Sequence, residues 1–81
     1  MNKNQIVEEI TKRMAEAHRI SSEIDALSIE QGALDSRRET WEDAPGSSEH
    51  KRNDEIETRL KELYAERDHH LSTVERLNAG K

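Results

Sequence analysis

Glu42-Asp43-Ala44-Pro45-Gly46-Ser47-Ser48 divides this 81-residue chain into two stretches of helical pattern. It holds the chain's only proline, followed at once by Gly46. Proline presets φ for the second position of a tight turn, and glycine accepts the positive φ that a type II turn demands at the third. Ser47 or Ser48 then offers a hydroxyl to cap a second helix. Glu49 falls in that helix's first turn, where the helix dipole favours an acid. The reading is one helix over about 4–41, a turn over 42–48 and a second helix over about 49–78.

Before the turn, the pattern repeats every seven residues. Ile6, Arg13, Ile20, Leu27, Leu34 and Trp41 form one register, and Ile10, Ala17, Ile24, Gln31 and Arg38 the other. Together they alternate three and four apart, the seam of a coiled coil. Val7 and Met14 widen the stripe on one side. After the turn the spacing resumes with Ile56, Leu63, His70 and Leu77 in one register and Leu60, Arg67 and Val74 in the other, flanked by Tyr64 and Leu71. No segment alternates apolar and polar with period two, so strands are excluded. Glu8–Lys12, Glu9–Arg13, Glu55–Arg59 and Glu57–Lys61 are acid-first pairs four apart. Each such pair stabilises a helix by about 0.2–0.5 kcal/mol. Gly32 interrupts the first helix at a cost of about 1 kcal/mol relative to Ala, which points to a bend or a close contact there. Gly80 is placed to cap the second helix.

The fold class expected is all-α, an antiparallel two-helix coiled-coil hairpin forming a single domain over 1–81. Folding about Pro45-Gly46 brings Trp41 near Asn53 and Ile56, and Leu34 opposite Leu60 and Leu63. Leu27 then meets Arg67 or His70, and Ile20 and Ile24 meet Val74 and Leu77. In that register the first turns of helix 1 overhang, which makes Ile6, Val7, Ile10 and Met14 the expected self-association surface. A second hairpin closing the open side of the stripe makes a four-helix bundle.

Composition limits what such a hairpin can be. Charged residues make up 38% of the chain and hydrophobic ones 31%, so no thick core is available. Cysteine is absent, which removes disulfides and thiolate metal sites. The net charge of −5 comes from mixed signs, as on a solvated helix surface. No stretch has the length and apolarity of a membrane span or a signal peptide, and a cytoplasmic protein with no membrane partner is expected.

Few residues point to chemistry. Gln31, Arg38, Arg67 and His70 occupy seam positions where Leu would pack best, and read as devices that set register and oligomer state. Glu66 and His69 have the spacing of a helical di-metal ligand pair, but Arg67 and His70 take the seam, so His69 points outward and no metal or other cofactor is expected. His18 and His50 have no partner at ligand spacing and read as surface residues. There is no Cys nucleophile, Gly-rich phosphate loop or Gly-x-Ser-x-Gly elbow, so no catalytic residue is assigned. Arg37-Arg38 and Lys51-Arg52 make a basic tip beside many carboxylates, a pattern of local ion pairing and not of nucleic-acid binding. The opposite arrangement, an acidic mimic of DNA that inhibits an enzyme, is compatible with the net charge. Trp41 has two readings, a seam residue against Ile56 or an exposed anchor for a partner.

Trp41 in a helical hairpin, and Tyr64-Ala65-Glu66-Arg67-Asp68, resemble the Trp-x-Gly family of small secreted hairpins and its Tyr-x-x-x-Asp/Glu export signal. Trp41-Glu42-Asp43 lacks the glycine, and Tyr64 stands mid-helix. The resemblance implies a secreted effector or export substrate. The residues themselves imply a non-enzymatic adaptor, chaperone or inhibitor that binds itself and another protein through its helix faces.

Overall fold

The computed structural model describes residues 2–80. The domain expected over 1–81 is therefore seen without its first and last residues. Two long helices, α1 (Lys3–Ser36) and α3 (Ser48–Ala79), pack against each other along their lengths, with a single helical turn, α2 (Arg38–Trp41), between them. The result is an all-α hairpin 57 × 15 × 15 Å.

Each long helix starts on a side chain that accepts from one of its otherwise unpaired amides. The Asn2 side chain accepts from the Gln5 amide at 2.8 Å, and the Gln5 side chain accepts from the Asn2 amide at 3.0 Å, a capping box. Ser47 is the cap of α3, its hydroxyl accepting from the His50 amide at 3.2 Å. The turn follows the Pro-Gly reading. Gly46 has φ +87° and the Ser47 amide donates to the Ala44 carbonyl at 3.1 Å, as a type II turn requires. Gly80 caps α3 with φ −82°, its amide donating to the Arg76 carbonyl.

The first helix ends earlier than its pattern implies. It stops at Ser36 instead of running to 41, and Arg37 breaks it at φ −110°, ψ 15°. The physical cause is Trp41. The last carbonyls of a helix have no intrahelical donor, and the Trp41 indole N–H folds back to donate to the Leu34 carbonyl at 2.8 Å. The Ser36 hydroxyl competes in the same turn by donating to the Ala33 carbonyl at 2.8 Å. Trp41 is thereby only 2% exposed and packs with Leu34 and Ile56.

The early break corrects the register by one heptad. Leu34 meets Ile56, not Leu63, and Ile20 and Ile24 meet Leu63, not Val74 and Leu77. Leu27 and Leu60 pack against both clusters. His70 reaches Arg13 instead of Leu27. Trp41 does lie against Ile56 as expected. A slip of one heptad leaves inward residues inward, so the seam survives. Along the seam, buried or half-buried positions run 6, 10, 13, 17, 20, 24, 27, 31 and 34 on α1, and 49, 53, 56, 60, 63, 67, 70, 74 and 77 on α3, with further half-buried positions beside it at 9, 21, 23 and 30 and at 50, 59 and 73.

Helix 1 consequently has no overhang. Stepping one heptad outward from Arg13 and His70 puts Ile6 opposite Leu77, and Ile6 and Ile10 are half-buried. Gly32 marks no close contact. α1 runs through it, and a Cβ there meets nothing within 4 Å.

Two substitutions test this account. Trp41→Phe keeps the ring but strips the indole donor from Leu34, and should lower the urea-unfolding free energy by about 1–2 kcal/mol, followed by helical circular dichroism. Gly32→Ala fills open space on a helix and should raise it by about 0.5–1 kcal/mol.

Candidate interaction surface

The seam has two halves of different character. Beside the turn it is mostly apolar, built on Leu34, Trp41, Ile56, Leu27, Leu60, Ile24, Ile20 and Leu63, with Gln31 and Asn53 among them. Further out it holds Ala17 and Val74, both buried, among Arg13, Arg67 and His70. Arg13 donates from Nη1 to His70 Nδ1 at 3.1 Å and from Nε to Glu9 at 2.9 Å. Arg67 is half-buried, its guanidinium 5.0 Å from the Tyr64 ring centroid, and its Nε is buried with no hydrogen-bond partner in the chain. Gln31 is half-buried in the seam as expected.

Arg38 is a correction among the polar seam residues. The break at Arg37 turns it outward, where it is exposed, pairs with Asp35 at 2.8 Å and lies over the Trp41 ring at 5.3 Å. Asn53, expected near Trp41 but not counted among the polar seam residues, is buried in the seam of α3. Its signal was its position, seven residues before Leu60.

An antiparallel pair has two flanks, and here they differ. One carries Glu9, Glu16, Glu23 and Glu30, spaced by heptads, against Arg52 and Arg59, also a heptad apart. Arg52 grips both carboxylate oxygens of Glu30, Nη2 at 2.7 Å, and reaches Glu55 at 3.2 Å. Arg59 bridges Glu23 at 3.1 Å and Glu62 at 3.2 Å. These ties displace the expected Glu55–Arg59 pair, while Glu9–Arg13 forms. The hydrogen bonds from Arg52 hold the Glu30 carboxyl below its ordinary pKa, and Glu30 and Glu55 in turn raise Arg52. Arg59 is raised by Glu62 first and Glu23 after.

The other flank lacks such ties and carries exposed apolar residues. Val7 and Met14, 52% and 48% exposed, follow seam residues Ile6 and Arg13. Tyr64 and Leu71, 43% and 38% exposed, follow Leu63 and His70. The expected self-association set therefore divides. Val7 and Met14 are on this surface, whereas Ile6 and Ile10 are turned toward the seam. Tyr64 and Leu71 join from α3, a pairing visible in the sequence only as residues beside the stripe.

Trp41 is not presented as an anchor for a partner, because Leu34, Ile56 and the His50 ring, 5.0 Å away edge-on, enclose it. His50 is only partly at the surface. It is half-buried and its Nε2 contacts the Glu42 carbonyl at 2.8 Å. Tyr64 and Asp68, the ends of the export-like motif, are both exposed in mid-helix.

His69 is exposed, and no group of three or more His, Asp or Glu among the described residues is arranged to hold a metal ion. A shallow depression on α3 is lined by Asp54, Glu55, Thr58, Arg59 and Glu62, outward residues of one helix. No helix among the described residues is long and apolar enough to cross a membrane. The chain matches no family model, no curated protein and no solved structure among those compared.

The Glu30–Arg52 tie makes an acid-side prediction. Its folded-state pKa is depressed, so its contribution is present above the ordinary carboxylate value and lost as pH falls through the folded one. Glu30→Gln should lower the melting temperature near neutrality, and the gap from the native chain should close below about pH 4. Both side chains are half exposed, so the gap should be small and narrow further in high salt.

Proposed function

We propose that this hairpin is a non-enzymatic, cytoplasmic protein–protein interaction module that works as a homo-oligomer. A second copy covers the flank of Val7, Met14, Tyr64 and Leu71, and the pair forms a coiled-coil four-helix bundle. The remaining helix faces are left to another protein, in the role of a small adaptor, chaperone or inhibitor.

The observation that carries this reading is the difference between the flanks. Four of the five large exposed hydrophobic residues stand on one flank, spread over both helices. The opposite flank is charged along α1 and tied by arginines from α3. Scattered surface hydrophobes are ordinary, whereas a contiguous set marks an interaction site. The occupant must offer an apolar face two helices wide. A second hairpin does, since it bears the same four residues. The arginine ties on many carboxylates weigh against display of a DNA-like charge array.

The test is sedimentation over a concentration series. Met14→Glu with Leu71→Glu should weaken self-association about a hundredfold or more, the effect of unburying two side chains. Ile29→Glu, on the outer face at 76% exposure, should leave the mass unchanged. A native chain that stays monomeric throughout would overturn the reading. Ile10 is unsuitable for this test because it lies in the seam, where a carboxylate would damage the hairpin itself.

A further inference from the structure

We propose that the Arg13–His70 contact is a pH-sensitive latch, so that protonation of His70 opens the half of the hairpin far from the turn and leaves the near half closed.

The geometry fixes the protonation state that the closed form needs. A guanidinium has only donors. Arg13 Nη1 lies 3.1 Å from His70 Nδ1, so Nδ1 must accept, and the ring proton belongs on Nε2. A proton added at Nδ1 removes the acceptor and sets an imidazolium against a guanidinium.

The surroundings do little to absorb that charge. From α1 the ring faces Arg13, whose Nε is held by Glu9, while Glu16 one turn on is engaged by Arg19 at 3.0 Å. On α3 itself, Arg67 is a further seam cation, the His69 ring is 5.9 Å away, and Glu66 stands one turn before. α2 lies at the other end of the rod. Three cations would then share a stretch of seam whose buried apolar residues are Ala17 and Val74.

The near half has no equivalent weakness. Its seam clusters are aliphatic apart from Trp41, its buried polar residue Asn53 carries no titratable group, and His50 offers Nε2 to the Glu42 carbonyl, a donor that protonation preserves. Met14 and Leu71 directly follow the two latch residues, so the same event would bend the apolar flank.

Amide hydrogen exchange on either side of the histidine range, corrected for intrinsic rates, tests the latch within one hairpin and independently of its pairing. Amides over 10–17 and 67–77 should exchange about tenfold faster at the acid side, the loss expected for one charge-assisted hydrogen bond. Amides over 20–34 and 53–63 should not change. His70→Gln keeps an acceptor that does not titrate and should abolish the effect, while His69→Gln should retain it. Nitrogen chemical shifts of the native ring should show the Nε2–H tautomer at the alkaline side. Equal protection at both pH values, loosening that persists in His70→Gln, or the Nδ1–H tautomer would each overturn the proposal.

Discussion

The bond from the Trp41 indole to the Leu34 carbonyl determines more of this molecule than any other single contact. It ends α1 at Ser36 and converts residues 37–41 from the last turn of a long helix into part of the connection. A longer connection lets α3 sit one heptad further along α1. That shift brings Val74 and Leu77 to the end where Ile6 and Ile10 would otherwise be bare. It also turns Arg38 from the seam to solvent. The indole is satisfied, the helix end is capped and a large ring is buried in one arrangement, which matters in a chain with no Phe and one Trp.

The seam was legible because burial alternates by three and four, and the sequence shows that spacing directly. The register was not, because a slip of one heptad exchanges equivalent positions and leaves the apolar pattern unchanged. Trp41 misled for the same reason. It stands seven residues after Leu34, where a continuing helix would also point it inward. What separates the two registers is charge on the flank. The observed one sets Glu30 against Arg52 and Glu23 against Arg59, with Glu16 and Glu66 at the next step. The register shifted by one heptad would set Arg37 against Arg52 and Glu23 against Glu66, keeping only Glu30 with Arg59. Two attractive steps and one repulsive step become one and two. Exposed pairs are individually weak, but a comparison between otherwise equivalent registers needs only their difference.

The apolar flank was half legible. Val7 and Met14 stood beside the stripe in the sequence, and so did Tyr64 and Leu71. That these form one surface depends on the helices running antiparallel, with residues that follow the seam on both helices sharing a flank. Ile6 and Ile10 were grouped with Val7 only through the assumed overhang, and they leave the group once the register is corrected. The Arg13–His70 contact was hidden likewise, since the shifted register pairs neither residue with the other.

A polar outer seam and an apolar flank in the same half of the rod are connected. Arg13, Arg67 and His70 keep the two helices in contact with little apolar area, so that half gains less from closure than the clusters beside the turn. Ile6, Ile10 and Leu77 are only half-buried in it, and Val7, Met14 and Leu71 lie one position off the seam, where they cannot bury one another fully within a single hairpin. Moving Val7, Met14, Tyr64 or Leu71 into the seam would give a more stable monomer with nothing left to present. The observed distribution gives a hairpin whose turn end folds on its own contacts and whose far end leaves an apolar flank exposed.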